Sequence, residues 1–458
     1  MSVILSRQCP AAFFIIVIII LMNLPLHAFW TVKGDNCQVD TGGSIRTIGA
    51  GIRNYDDPLL FGNDNDYDST TQTLLRLTSK GALSSSLSFE IHLVQEFFTS
   101  TAQTGALIPG SAATSPIPDR YRITESAWDW AEDDDFRASL DADRLYVKYS
   151  QGTTDLTVGR QAINFSQAYF WNPLDIFLAF DPETFDRDYK PGVDAVRADI
   201  ELGSFSGLTF VAALGRKLRV DTTPTNTMIS SESFVDEPWY GSALMGRFST
   251  NYLDWDLSFQ AGKVYGGYTM GAGFTGEIRG MGVRTEASYL IARGDSTAGI
   301  IDAVPPDYLR EIDLVEDHLV VVAGVDYRFA NSMYCNMEVL FNGAGDSSDL
   351  EASLLRSATG QSVSLGEYLA GLQLSYEFHP LLTGQAVWIY SFSDASSLVS
   401  PTLTYSVADE ADFICGATLG YGDRPSTRQV VPGIDIPVLE SEYGTYPDIF
   451  FMEFKFYF

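Results

Sequence analysis

A chain of 458 residues that is 45% hydrophobic, 13% aromatic and only 19% charged is long enough for one large barrel or for two or three soluble domains. Its formal net charge of −30 sets it against nucleic acid as a partner. Arg7 precedes an unbroken apolar run from Ala11 to Met22, and Leu26-His27-Ala28 offers a small residue for cleavage, so residues 1–28 read as a secretory signal peptide. No other run approaches the roughly 18 to 20 apolar residues of a spanning helix. A membrane-embedded mature chain therefore has only the closed barrel open to it, because no other strand arrangement satisfies its backbone in lipid.

After a segment 29–44 assigned to the periplasm, the chain becomes a ladder of short period-two stretches from residue 45 to residue 458. The first fall at 45–53, 70–80, 82–98, 140–150, 153–165 and 192–203, and the last at 446–458. In Leu145-Tyr146-Val147-Lys148-Tyr149-Ser150 the apolar and polar side chains alternate, as they do in Val196, Ala198, Ile200 and Leu202 against Arg197, Asp199 and Glu201. The ladder predicts an all-β chain of about 18 strands, with 16 as the alternative count. Each stretch is near the 9 to 11 residues that a tilted strand needs to cross the hydrocarbon.

Pattern alone does not separate a barrel facing lipid from a sandwich facing water, and the C-terminus does. The last strand carries Phe450, Met452, Phe454, Phe456 and Phe458 on one face and Glu453, Lys455 and Tyr457 on the other. A flat apolar terminal strand is an aggregation hazard in water, whereas it suits the closing strand of a transmembrane, antiparallel, up-and-down β-barrel. Phe454, Phe456 and Phe458 resemble the terminal phenylalanine signal of bacterial outer-membrane porins, which implies reading by the barrel assembly machinery.

The connections alternate in length as such a barrel requires. Short turns are expected at Lys80-Gly81, Gln151-Gly152, Gly203 to Ser206, Asp254, Gly280, Asn331-Ser332, His379-Pro380 and Asp409-Glu410. Between them lie seven long loops, at 54–69, 99–139, 166–191, 218–241, 295–317, 345–365 and 423–445. Gly266-Gly267 and the segment near Ala395 are short connections on the loop side. Most of the acidic excess falls in the long loops, where it would gather cations over a Debye length of about 8 Å.

The third long loop departs from the others because Tyr169, Phe170, Trp171, Leu174, Ile176, Phe177, Leu178, Phe180 and Phe185 give it too much apolar surface to leave in water. We expect it to fold into the lumen, with Asp175, Asp181, Glu183, Asp186, Arg187, Asp188 and Lys190 setting the field at a constriction. Lys148, Arg160 and Arg197 are the expected opposing wall.

Other signals are weaker. Asn63 to Asp68 begins like a calcium loop but lacks the glycine and the closing glutamate. Cys37, Cys335 and Cys415 are odd in number and give no disulfide framework. His92, His318 and His379 are scattered, so neither metal-ligand spacing nor a histidine-based triad is legible, and no cofactor or catalytic residue is expected.

Gly159-Arg160-Gln161, Phe170-Trp171-Asn172-Pro173-Leu174-Asp175 and Asp186 to Asp194 together resemble a segment of proteobacterial outer-membrane porins and the alginate-export group. The resemblance implies an eighteen-stranded barrel in the outer membrane, monomeric or trimeric, surrounded by lipid and lipopolysaccharide and passing small solutes. Its export branch implies an arginine-rich track for an anionic polymer working with inner-membrane partners. The inward candidates here, among them Arg144, Arg247, Arg284, Glu286, Asp326 and Glu338, are mixed in sign. A passive, cation-preferring channel for small hydrophilic solutes is therefore the leading expectation, with polymer export as the alternative.

Overall fold

The computed structural model describes residues 30–33, 37–55, 66–101, 120–124, 126–133, 136–177, 188–223, 226–235, 238–294, 296–300, 309–431 and 434–458. Alternating side chains make eighteen of its strands into one antiparallel wall. They are β1 (Gln38–Arg53), β2 (Tyr67–Ala82), β3 (Leu87–Ser100), β4 (Phe136–Gln151), β5 (Thr154–Gln161), β6 (Val193–Glu201), β7 (Ser206–Ala213), β8 (Ala243–Tyr252) and β9 (Trp255–Val264). The second half comprises β10 (Gly267–Ile278), β11 (Met281–Ala292), β12 (His318–Arg328), β13 (Tyr334–Asn342), β14 (Tyr368–His379), β15 (Leu382–Ser391), β16 (Ser397–Ala408), β17 (Ala411–Tyr421) and β18 (Asp448–Tyr457).

Each strand pairs with its neighbour in sequence, and β1 pairs with β18 from Ser44 opposite Tyr457 to Arg53 opposite Asp448, which closes the barrel. Gly43 and Phe458 extend the seam by exchanging backbone hydrogen bonds of 2.7 and 2.9 Å. The Phe458 ring lies where a side chain at residue 43 would be, so only glycine fits there. Below that point the strand Trp30–Lys33 takes over the same edge of β1, with Trp30 opposite Thr41.

All eighteen expected strands are present, and both short loop-side connections, after β9 and after β15, are real. Several boundaries move, three of them for a clear physical reason. The first strand starts at Gln38 instead of residue 45, and the first short turn falls at Leu83 to Ser86 instead of Lys80-Gly81. Both changes reflect a β1–β2 hairpin that continues past the lipid-facing zone, where Gln38-Val39-Asp40-Thr41-Gly42-Gly43 carries no apolar stripe. The third is β5, which stops at Gln161 because the residues after it turn inward.

The tight turns have the backbone that two-residue hairpins demand. Arg279 and Gly280 both adopt left-handed conformations, with φ of 54° and 84°. On the outer wall Leu145, Val147, Val158, Val196, Phe259, Met270, Met337 and Trp388 are exposed, as lipid-facing side chains must be. Aromatic pairs mark the two ends of that band. Phe341 and Tyr368 stand near the loop side, and Tyr327–Phe329 and Tyr376–Phe378 near the turn side. Tyr368 and Phe378 are ten residues apart on β14, consistent with an apolar band roughly 25 Å tall.

The alternation of connections fixes which sites are reachable from outside. Tags inserted at Asp134, Asp307 or Asp435 are expected to be labelled on intact cells, while tags at Gln151 or Asn331 stay silent until the outer membrane is opened. Labelling in the reverse pattern would mean an inverted barrel.

Candidate functional site

The third long connection fills two apolar patches of the inner wall. Ile163, Phe165 and Phe177 pack against Val193, Ala195, Val211, Ala243, Met245 and Val264, on β6 to β9. Phe170 and Trp171 pack against Val320, Val322, Leu340, Leu369, Ile389 and Leu398, on β12 to β16. Between the patches, glycines on the inner wall leave room. A side chain at Gly271 or Gly273 would collide with Leu174, and one at Gly371 with the Phe170 ring. The expected inward fold of this loop is thus what the chain does, and it accounts for the aromatic run that a rim in water would not tolerate.

Polar contacts hold the loop along the same path. The Glu286 carboxylate on β11 accepts from the Ser166 hydroxyl and the Gln167 amide, both at 2.5 Å. Glu338 on β13 accepts from the amides of Tyr169 and Phe170 at 2.6 and 2.7 Å. Gln260 on β9 donates to the Leu174 carbonyl at 2.9 Å. Glu286 and Glu338 are 2% and 0% exposed, so each buried carboxylate is offset by backbone donors that the loop would otherwise bury unpaired. Neither role was legible in the sequence, where both residues were only inward-facing acids.

Within the loop, Asp175 and Lys190 form a buried ion pair, and the Lys190 ammonium also donates to the Ile163 carbonyl at 2.5 Å. Burial pushes the Asp175 carboxyl up and the Lys190 amine down, each opposed by the partner's charge. The pair ties the two limbs of the loop together and does not line an open pore.

The returning limb crosses to the remaining wall. Asp188 is held by the Lys455 ammonium at 2.8 Å and the Tyr457 hydroxyl at 2.9 Å, both on β18. Burial works against its carboxylate, but Lys455, Tyr457 and nearby Arg46 outweigh it and hold its pKa below the ordinary carboxylate value. Tyr189 lies beneath the Arg76 guanidinium, 4.1 Å from the ring centroid.

Between this limb and β1 to β4 lies a cavity of about 180 Å³, walled by Arg46, Arg76, Glu96, Asp141, Asp143 and Lys455. Arg46 pairs with Glu453, and Arg76 with Asp143 at 2.6 Å. A second hollow of about 610 Å³ lies towards the short-turn end, between Gln167 of the loop and Arg247, Ser249 and Asn251 of β8. The loop thus carpets β6 to β16 with apolar surface and leaves the smaller cavity along the charged wall.

The expected site residues divide accordingly. Asp188 borders the smaller cavity, and Asp175 and Lys190 brace the loop from within. Lys148 and Arg197 face the lumen nearer the short-turn end, paired with Asp155 at 2.6 Å and Asp199 at 2.8 Å. They do not stand opposite the loop. Arg160 is buried, donating to Asp194 at 2.8 Å and to the carbonyls of Thr124 and Ala142 at 2.6 and 3.1 Å, so it braces the base of the loop. Asp181, Glu183, Asp186 and Arg187 lie outside the described residues. Of the terminal phenylalanines, Phe454 packs with Ala411, Ile45 and Phe456 along the closing seam.

Residues 120–124 of the second long connection also pack inside the barrel, a role not expected of an acidic loop. Its Tyr121 is 1% exposed and meets the Phe177 ring at 5.5 Å. Arg120-Tyr121-Arg122, a basic pair flanking an aromatic within an acidic loop, was the available signal.

No family model matches the chain, and no curated protein matches it in sequence. Solved structures do match in fold. Acinetobacter baumannii OccAB1 gives a TM-score of 0.53, with 91% of this chain and 96% of that one covered. OccAB2 from the same organism gives 0.52 with 91% and 98%, and Pseudomonas aeruginosa OccK8 (OprE) gives 0.51 with 92% and 98%. Each is 9% identical to this chain, a level at which the likeness carries the fold alone. Eighteen strands and full closure thus give the chain the fold of these outer-membrane porins.

Proposed function

We propose that the chain is a passive channel for small hydrophilic solutes, narrowed by its third long connection and favouring cations at the outer rim. The observation that carries this reading is the charge-lined cavity left between the Asp188–Pro191 limb and β1 to β4. An eighteen-stranded lumen without such a loop would be an open aqueous channel. A loop docked on apolar wall narrows it while keeping the remaining path polar. The acidic loops add a negative field at the mouth, which raises the local concentration of cations.

Export of an anionic polymer, the alternative, calls for an uninterrupted basic track. Arg46, Arg76 and Lys455 are each neutralised by Glu453, Asp143 and Asp188, which supports the small-solute reading over it. The reading involves no enzymatic step. Lipid, lipopolysaccharide and the barrel assembly machinery are the partners it implies, with the protomer acting alone or as a trimer.

The test is single-channel recording in planar bilayers. Deleting residues 174–185 is expected to raise conductance several-fold and to weaken cation preference in a salt gradient. A deletion variant that folds and conducts as the parent does would overturn the loop as the constriction.

A further inference from the structure

Besides the third connection, one more segment of a long connection reaches the smaller cavity, and it does so as a built element. In Arg120–Thr124 the Tyr121 carbonyl accepts from the Asp194 amide at 2.8 Å, and the Asp194 carboxylate accepts from the Ile123 and Thr124 amides at 3.0 and 2.9 Å. On its other side, the Arg216 amide donates to the Arg120 carbonyl at 3.1 Å and the Arg216 guanidinium to the Ile123 carbonyl at 2.8 Å. The fit is close enough that a side chain at Gly215 would strike the Arg120 carbonyl. Tyr121 anchors the segment in the same apolar cluster that receives Phe165 and Phe177.

This stitching aims one cation at that smaller cavity. Arg122 donates to the Gly192 carbonyl at 2.8 Å, to Asp141 at 3.0 Å and to Asp143 at 3.0 Å, and it lines the 180 Å³ cavity. The cavity is lined by the cations Arg46, Arg76, Arg122 and Lys455 and the anions Glu96, Asp141, Asp143 and Asp188, with Glu453 behind Arg46 as a further anion. Arg46, Arg76 and Lys455 stand on barrel strands, whereas Arg122 is delivered by a connection. In a narrow, low-dielectric passage a single unbalanced charge governs which sign of ion enters.

We propose that Arg122 is a selectivity-determining residue supplied by the second long connection, and that it offsets part of the acidic charge on the cavity wall beside the third connection. The proposal rests on the channel reading above. Removing Arg122 leaves the wall one unit more negative.

The experiment uses the full chain in planar bilayers under a potassium chloride gradient, with barrel folding checked by its altered gel migration before boiling. Arg122→Gln is expected to raise the cation-to-anion permeability ratio at least twofold, and Arg122→Lys to restore it. Asp141→Asn, which removes an anion of the same cluster, is expected to shift the ratio the other way, which a merely structural role for either residue would not produce. A conducting Arg122→Gln channel with the parental reversal potential overturns the proposal, as does a shift of the same sign in both variants. A folded parent that does not conduct overturns the channel reading itself.

Discussion

Replacing Glu286 and Glu338 together by glutamine is expected to raise single-channel conductance several-fold and to make the open current noisy. The two carboxylates accept from Ser166, Gln167, Tyr169 and Phe170, and they hold the loop at two points across the lumen from its root. Each charge-assisted bond contributes about 1.5–3 kcal/mol. Glutamine preserves the volume; at residue 338 it turns an amide nitrogen towards one of the loop's N–H groups, donor against donor, and at residue 286, where the nitrogen can turn to the Ser166 hydroxyl, it removes the charge that strengthens both bonds, in sites that are almost fully buried. The Phe170 and Trp171 contacts remain, so the loop should fluctuate and not leave altogether. Glu377, exposed on β14, serves as the matched control because its charge changes by the same amount. Conductance and noise in the double variant equal to those of Glu377→Gln would show that the carboxylates do not hold the loop.

The second large effect is expected at Lys190. Substitution by methionine leaves the Asp175 carboxylate buried without its counter-charge, a loss of about 3–5 kcal/mol for a buried pair broken from one side. Asp175 is 9% exposed, so water does not readily replace the ammonium. The loop is expected to undock, with raised conductance and rapid cleavage near residues 172–190 by added protease. Combining Asp175→Asn with Lys190→Met removes both charges and should recover most of the parental conductance, since the packing of Phe165, Phe170, Trp171 and Phe177 is unchanged. A double variant as open as the single one would place the role of Lys190 in its bond to the Ile163 carbonyl instead.

Strand order and the facing of side chains were legible because both are local. A period of two in Leu145 to Ser150 says which residues share a face, and the Phe-ended strand says which face meets lipid. The inward fold of the third connection was legible from composition, since nine large apolar residues in a polar setting need a wall to cover them. Its partners were not. Glu286 lies 119 residues along the chain from Gln167, and Glu338 lies 168 residues from Phe170, so no periodicity links them. Arg160 was expected on the open wall because its neighbours fit a strand pattern, but the folding of Thr124 and Ser126 over it turns it into a brace. The start of β1 at Gln38 was missed for a related reason: outside the bilayer a strand needs no apolar stripe, and its partner Thr78–Ala82 supplies the pairing instead.

The manner in which the loop is held has a bearing on how such a pore changes its clientele. Glu286 and Glu338 grasp the backbone amides of Gln167, Tyr169 and Phe170, with the Ser166 hydroxyl beside them. Gln167 is exposed, and Ala168 and Tyr169 are half buried. Ala168 and Tyr169 pack against the Phe170 and Trp171 cluster, whereas at Gln167 the anchorage excludes little beyond proline, which lacks the N–H that this position contributes. The chemistry that the loop presents to a passing solute can be rewritten there, by drift or by design, while the fastening that keeps it inside the barrel stays in place.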